Sequence, residues 1–322
     1  ELVRQILKFV PEHIILLDIA ETPLFNIDLE LQKNGYRNYS IILTNILNKN
    51  KIDFIFNKFK PDIVFHAAAY KHVPMMELNA YEAVQNNVLG TKILADTSIK
   101  YNVDKFVMIS TDKAVNPTNI MGASKRIAEI YTQSLNKLNK TKFVTTRFGN
   151  VLGSNGSVVQ LFKKQIEEGG PITITDPAVT RYFMTIPEAS QLVLQAGAMG
   201  NGGKIFIFDM GKPVKIVDLA KKMVKLSGLE LGKDINLIYT GLRPGEKLYE
   251  ELLNNNENTI KTNSKEILIA KVTEYDLEYI STMINELLDV TNYHDDYKIV
   301  AIMKKIVPEY ISQNSIYAKL DN

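Results

Sequence analysis

Short apolar runs alternate with helix-length stretches over the first 150 residues, and that alternation leaves few folds open. Ile14-Ile15-Leu16-Leu17, Tyr39–Leu43, residues 62–65 and Lys105–Ile109 are four or five residues long and mostly apolar, as strands buried on both faces must be. Between and after them, residues 20–33, 46–59, 80–101 and the stretch ending at Leu138 have the length and apolar spacing of amphipathic helices. Parallel strands need long crossovers, so a helix after each strand predicts an α/β fold built on a doubly wound, Rossmann-like parallel sheet. Beyond residue 150 the elements become shorter. Strand candidates at 171–175, 181–185, Lys204–Phe208, 235–239 and 266–270 mix with helical patterns at Val158–Glu167, 187–197, 214–226, 277–288 and 297–306. The expected division is therefore a sheet domain over residues 1–150 and a smaller α/β lobe with interleaved elements over 151–322.

One part of such a sheet is missing from the pattern. Leu2, Val3, Ile6 and Leu7 form an apolar stripe on a helix that starts at once, ahead of the first strand. A doubly wound sheet of this kind begins with a central strand and a glycine-rich turn that cradles a pyrophosphate at a helix N-terminus. Neither precedes Glu1, so the sequence is expected to be a piece of a longer protein, lacking its first strand and glycine-rich loop.

Several classes of function are disfavoured. The formal net charge is +2, and the lysines are scattered rather than grouped with aromatics, which argues against nucleic acid as a partner. There are no cysteines, so thiolate metal sites and disulfides are absent. The four histidines, His13, His66, His72 and His294, lack metal-ligand spacing, and no metal is expected. No apolar run has the length of a membrane span.

Polar residues collect where strands end. Ser110-Thr111-Asp112-Lys113 follows the strand Lys105–Ile109, and Met121 and Lys125 lie one helical turn apart just beyond. Strand, polar loop and helix in that order put side chains at the carboxyl edge of the sheet, where ligands bind; the same composition also makes an ordinary turn. Asp18 ends the strand Ile14–Asp18, where an acid can hydrogen-bond an adenosine ribose, repelling a 2′-phosphate, or can merely cap the next helix. Ala67, Ala68 and Ala69 are small residues past another strand end, where a cofactor can approach the backbone. Gly90, inside the helical pattern that also holds Asn87, costs about 1 kcal/mol relative to alanine and implies close packing there. The run from Phe148 to Ser157 is a glycine-rich loop ahead of a helix start, suited to an anion or to a plain connection. Arg243 stands in a Pro/Gly turn before an expected helix that carries Glu246, Lys247 and Glu250, suited to a phosphate or to exposed helix ion pairs. Residues 254–263 are polar and expected to be mobile.

Taken together, Asp62-Ile-Val-Phe-His-Ala-Ala-Ala69, Ser110-Thr-Asp-Lys-Ala114, Met121-Gly-Ala-Ser-Lys125, Arg147-Phe-Gly-Asn-Val-Leu-Gly-Ser154 and Arg243-Pro-Gly-Glu-Lys247 resemble the extended short-chain dehydrogenase/reductase superfamily. More narrowly, they resemble the capsular-polysaccharide type of UDP-N-acetylglucosamine 4,6-dehydratase. The resemblance runs in register over nearly the whole chain. It implies an NAD-binding domain, with NADP less suited, followed by a substrate-binding lobe. It also implies a reaction in which C4 of a UDP-sugar is oxidised, water is lost across C5 and C6, and a hydride returns to C6. A C4 epimerase, a C5-inverting dehydratase and a non-catalytic sugar-nucleotide scaffold are the alternatives. By matching position, Asp112 protonates the departing C6 hydroxyl, Lys113 is the base at C5, Thr111 holds the C4 hydroxyl and Lys125 binds the nicotinamide ribose. The basicity of Lys113 must then be lowered by its neighbours, Lys125 among them. Asp18, Asn45, Ala67, Ala68, Ala69, Asn87 and Lys125 fall on the cofactor side; Lys71, Asn150, Ser157, Arg181, Arg243 and Glu246 fall on the substrate side. The chain departs from the superfamily at Met121, where a tyrosine is usual, and at Asn45, where an acid is common. Methionine matches the membrane-anchored subgroup. The implied setting is cytoplasmic, as a homo-oligomer and with a membrane anchor upstream.

Overall fold

A computed structural model describes residues 1–253, 259–270 and 273–321. The chain opens with helix α1 (Leu2–Leu7), strand β1 (Ile14–Asp18), α2 (Glu21–Lys33), β2 (Tyr39–Leu43), α3 (Lys49–Phe59) and β3 (Ile63–His66). Next come α4 (Val73–Glu77), α5 (Ala80–Ala83), a π-helical turn (Val84–Leu89), α6 (Gly90–Lys100), β4 (Lys105–Ile109), α7 (Ile120–Ser134) and β5 (Lys142–Arg147). The following stretch holds β6 (Asn150–Val151), α8 (Val158–Glu167), β7 (Ile172–Ile174), β8 (Thr180–Arg181), β9 (Phe183–Met184) and α9 (Ile186–Met199). The chain ends with β10 (Lys204–Phe208), β11 (Val214–Lys215), α10 (Ile216–Leu226), β12 (Leu237–Tyr239), β13 (Thr259–Lys261), β14 (Ile267–Ala270), α11 (Leu277–Thr291) and α12 (Asp296–Ile306).

The sheet has the expected parallel core. In the order β3, β4, β5, β10 the strands run parallel, and β14 and β13 extend them antiparallel. Because β10, β13 and β14 come from beyond residue 150, the second half of the chain returns to complete the first half's sheet. β1 and β2 form a separate parallel pair, and among the described residues no strand hydrogen-bonds to the second edge of β1 or of β3. The pair is held by packing: Ile15, Leu17 and Ile42 lie against the main core. Along β4, Phe106 and Met108 join the core under α3, α6, α7, α11 and α12, while Val107 points to the opposite face and α9. Both faces are thus covered, and each of these fully buried side chains contributes about 1.5–3 kcal/mol. A further core around Phe162, Ile172, Ile216 and Ile235 packs α8 and α10 on the short strands of the second half.

Three details differ from the pattern read in the sequence. The helix foreseen at 80–101 is interrupted by the π-helical turn, in which Asn87 is completely buried. Gly90 follows that turn, and a Cβ on it would lie 2.4 Å from Ile46 Cδ1, so close packing is indeed its reason. The helix foreseen after Arg243 is absent; residues 246–253 are irregular. Their carbonyls are engaged sideways instead, Lys247 O and Leu248 O accepting from the Arg181 guanidinium at 2.9 and 3.2 Å. Of the polar stretch 254–263, residues 254–258 lie outside the described residues, and 259–261 form β13 on the sheet edge. Among the described residues no helix is long and apolar enough to cross a membrane.

Candidate active site

The segment after β4 is held in one conformation from both ends. Thr111 Oγ1 accepts from Lys113 N at 3.3 Å and caps a single 3₁₀ turn, Asp112–Ala114. Asn119 caps α7, its Oδ1 accepting from Gly122 N at 2.8 Å, and Glu77 Oε1 accepts from Ile120 N at 2.7 Å. Two side chains therefore satisfy amides that the helix start leaves open. Gly122 lies against the 3₁₀ turn so closely that a Cβ there would sit 2.1 Å from Lys113 O.

Residues 243–251 form a strap along this segment. Gly245 O accepts from Thr118 Oγ1 and Asn119 Nδ2, both at 3.0 Å. Lys247 Nζ donates to Val115 O at 3.1 Å, and Asn116 Nδ2 donates to Glu251 Oε2 at 3.2 Å. Arg181 fastens the strap from the other side; its guanidinium lies 3.5 Å from Glu246 and 3.8 Å from Glu250.

Inside this frame Thr111, Asp112 and Lys113 meet. Asp112 is fully buried; its Oδ1 accepts from Thr111 Oγ1 and from Lys113 Nζ, each at 2.9 Å, while Oδ2 has no hydrogen-bond partner. Lys113 Nζ also reaches Asn150 Oδ1 at 3.4 Å and Glu250 Oε1 at 3.6 Å. Burial alone would lower the lysine's pKa, but the Asp112 and Glu250 carboxylates outweigh burial and Arg181, raising it above the ordinary lysine value. This reverses the lowering foreseen from the sequence: two anions face Lys113, and Lys125 Nζ is turned away onto Ile109 O at 2.8 Å. Lys125 is the depressed lysine of the pair, pushed down to about 8 by burial against the opposing pull of Glu129. Met121 is buried in the main core and brings no polar group to the edge.

The remaining candidates are distributed around this centre. Asp18 is exposed at the end of β1, and its Oδ1 accepts from Ala20 N at 2.9 Å. Asn45 Oδ1 accepts from Leu47 N, a local turn bond. Ala67 and Ala68 are exposed after β3 and Ala69 is half-buried. Asn87 bonds Tyr70 through N (2.8 Å) and O (3.0 Å) and Ser124 Oγ (3.0 Å), so its amide shapes the loop that carries the alanines. Lys71 is exposed beside it. Ser157 precedes α8 with its Oγ unpartnered, and Arg243 is exposed and pairs with Glu246 at 3.2 Å.

Sequence reasoning missed three carboxylates. Glu250 was hidden in an apparent helix, and Glu77 gave no local signal. Glu129 is fully buried, its two oxygens meeting Arg147 at 2.8 and 2.6 Å, with Arg126 at 3.1 Å. Burial alone would raise Glu129, but the two guanidiniums hold it at about 2. Its placement four residues after Lys125, with a charged Arg147 ending an otherwise buried strand, was the available clue.

Residues 1–272 match the family described as polysaccharide biosynthesis protein. The capsular polysaccharide biosynthesis protein CapD of Staphylococcus aureus is 54% identical over 292 residues, covering 90% of this chain and 49% of CapD. The probable polysaccharide biosynthesis protein EpsC of Bacillus subtilis (strain 168) is 50% identical over 290 residues, covering 89% and 48%. The chain thus spans about half the length of these curated relatives. A UDP-glucose 4-epimerase of Rickettsia canadensis (strain McKiel) is 35% identical over 258 residues, 78% of this chain and 73% of the epimerase. Among solved structures, Pen from Bacillus thuringiensis has a TM-score of 0.76 at 30% identity, covering 88% of this chain and 93% of Pen. DesIV, a dTDP-glucose 4,6-dehydratase from Streptomyces venezuelae solved with NAD, has a TM-score of 0.68 at 20% identity, covering 78% and 83%, and speaks to the fold alone. With its Rossmann-like sheet and a match that runs through both β4 and the strap, the chain belongs to the polysaccharide biosynthesis protein family.

Proposed function

We propose that the protein is a nucleotide-sugar 4,6-dehydratase acting on UDP-N-acetylglucosamine or a close UDP-amino sugar. The observation that carries this reading is the buried Asp112 carboxylate, with one oxygen on Thr111 and Lys113 and the other without a partner. Elimination of water from a sugar needs an acid at the leaving hydroxyl and a base at the neighbouring carbon, and these residues supply both types side by side.

NAD fits the cofactor side of the described residues. Asp18 offers a carboxylate to the adenosine ribose, the exposed Ala67 and Ala68 leave the backbone after β3 approachable, and the cationic Lys125 suits the nicotinamide ribose. Bound there, NAD supplies the hydride acceptor for C4 and the hydride donor for C6. The chain's own residues handle the protons. Thr111 receives the C4 hydroxyl and passes its proton along the existing hydrogen bond to Asp112. Asp112, now a carboxylic acid, protonates the C6 hydroxyl as water departs, while Lys113 removes the C5 proton and later restores it. Arg243 and Glu246, on the strap, hold the nucleotide.

The test is product analysis. Full-length protein given UDP-N-acetylglucosamine and NAD should yield a 4-keto-6-deoxy sugar by NMR, and Asp112→Asn and Lys113→Ala should each lose about 10²- to 10⁴-fold in rate. Water elimination at undiminished rate in either variant refutes the assignment. The Rickettsia relative supports a second reading as a UDP-sugar 4-epimerase. That reading predicts a C4 epimer with no loss of water.

A further inference from the structure

Charged side chains of alternating sign run in one line from the surface to the buried acid. Arg243 Nε pairs with Glu246 Oε2 at 3.2 Å, and the other oxygen of Glu246 lies 3.5 Å from the Arg181 guanidinium. Arg181 lies 3.8 Å from Glu250 Oε1; the same oxygen lies 3.6 Å from Lys113 Nζ, which bonds Asp112 Oδ1 at 2.9 Å. Only the outer end is open. The Arg243 side chain is 55% exposed, whereas those of Glu246, Arg181 and Glu250 are 10, 8 and 4% exposed. Arg181 is fixed in place, donating to Thr180 O at 2.7 Å and to Lys247 O at 2.9 Å. Glu250 is the loose member. Among the described residues its Oε2 has no hydrogen-bond partner, and its Oε1 stands between two cations beyond hydrogen-bond distance of either. A charge-assisted hydrogen bond forms at about 2.7–2.9 Å, so this oxygen gains by nearing one cation, and it nears one by leaving the other. Where water is largely excluded, the charges next in line decide which.

We infer that Glu246, Arg181 and Glu250 are positioning residues that couple Arg243, where the nucleotide diphosphate is held, to Lys113 and Asp112. A diphosphate draws the Arg243 guanidinium off Glu246. Glu246 then closes on Arg181, Arg181 holds Glu250 less, and Glu250 moves onto Lys113. The nucleotide half of the substrate thereby sets the charges around the Asp112–Lys113 pair without any contact from its sugar. Such coupling is reciprocal, so a change at Lys113 must alter affinity at Arg243. The inference rests on the nucleotide-sugar reading proposed above and adds to it a device by which that site registers its ligand.

The experiment is calorimetric titration of the full-length protein, loaded with NAD, with UDP. UDP carries the diphosphate but brings no sugar to Lys113 or Asp112. In Lys113→Met, Glu250 keeps only Arg181 and Glu246 falls back on Arg243, so UDP should bind about fivefold or more weakly than to the wild type. Glu246→Gln breaks the line, and in that background the same Lys113 substitution should change affinity by no more than about twofold, as for independent sites. Glu250→Gln breaks it at a second point and should do the same. A lysine that acted on the anion directly through its charge, or a general loosening of the site, would weaken UDP equally whether Glu246 is present or replaced. That result overturns the inference, as does a Lys113→Met protein that binds UDP like the wild type. Should Lys113→Met fail to fold, Asp112→Asn removes the opposite charge from the same end and should tighten UDP by a similar factor. An affinity that is unchanged there, or that changes regardless of Glu246, overturns the inference too. If Arg243→Met binds UDP as tightly as the wild type, the nucleotide reading of the strap is itself wrong and the inference falls with it, an outcome distinct from the others.

Discussion

Gly122→Ala is a test of how the segment after β4 is held, and it does not depend on any assumed substrate. The new Cβ would lie 2.1 Å from the Lys113 carbonyl oxygen and 3.0 Å from its carbon. Ordinary contact requires the two backbones to separate by about 1.3 Å or more. Two effects oppose each other: alanine favours a helix over glycine by about 1 kcal/mol, whereas overpacking a tight site costs about 1–3 kcal/mol and occasionally more. The obstacle is a carbonyl in a capped 3₁₀ turn, which cannot rotate aside, so the upper end applies and the net loss should be about 2 kcal/mol. Gly90→Ala provides the contrast. Its Cβ would meet Ile46 Cδ1 at 2.4 Å, the far end of a side chain with other rotamers available. Its cost should be smaller by about 1 kcal/mol or more. Urea denaturation of both variants beside the wild type measures this, with activity recorded on the same samples. If Gly122→Ala were as stable as the wild type, or less damaging than Gly90→Ala, the contact between the 3₁₀ turn and α7 would not be the constraint described.

Two further expectations concern the buried charges. Glu129 is held at about 2 in the fold against an ordinary 4.5, so its contribution is fully present above pH 4.5 and is lost as pH falls toward 2; the slope of stability in that window should flatten in Arg147→Met, followed by denaturation midpoints against pH. Lys125 is depressed from 10.5 to about 8, so its burial as a cation opposes folding below pH 8 and this cost fades as pH rises toward 10.5. Lys125→Met should therefore raise stability at pH 7, by about 1–2 kcal/mol after loss of its bond to Ile109 O, while turnover disappears; a destabilised Met variant would refute the argument.

The sheet was legible because its strands are short, apolar and spaced by helices, and β2 and β4 fall where the sequence puts them. Gly90 was legible as a packing signal because glycine in a helix has a cost that something must offset. What escaped was structure made by long-range side-chain bonds. Asn87 bonds a loop seventeen residues earlier in the chain and α7 as well, and the π-helical turn around it has no local signature. Glu246, Lys247 and Glu250 have helical spacing, but Arg181, more than sixty residues away, draws their backbone into a strap. The basicity of Lys113 was misjudged for the same reason: its nearest charges include one from that strap. That Thr111, Asp112 and Lys113 lie together after β4 could be read from adjacency, while their electrical environment depended on chain far removed in sequence.

The strap has a consequence for how the protein comes into being on the ribosome. Lys113 and Asp112 are synthesised long before Glu250, and the segment that carries them is held from one side by α7 and from the other by residues 243–251. A nascent chain that has folded through β5 already carries Asp112 and Lys113, but the strap's bonds to Val115, Thr118 and Asn119, and those from Ile311 N to Pro117 O and Gln313 N to Thr118 O, are still to be made. The sheet is likewise finished only by β14, whose residues follow the strap. The segment after β4 is therefore enclosed late and in steps, first by residues 243–251 and then by Ile311 and Gln313, which follow β14 in the chain.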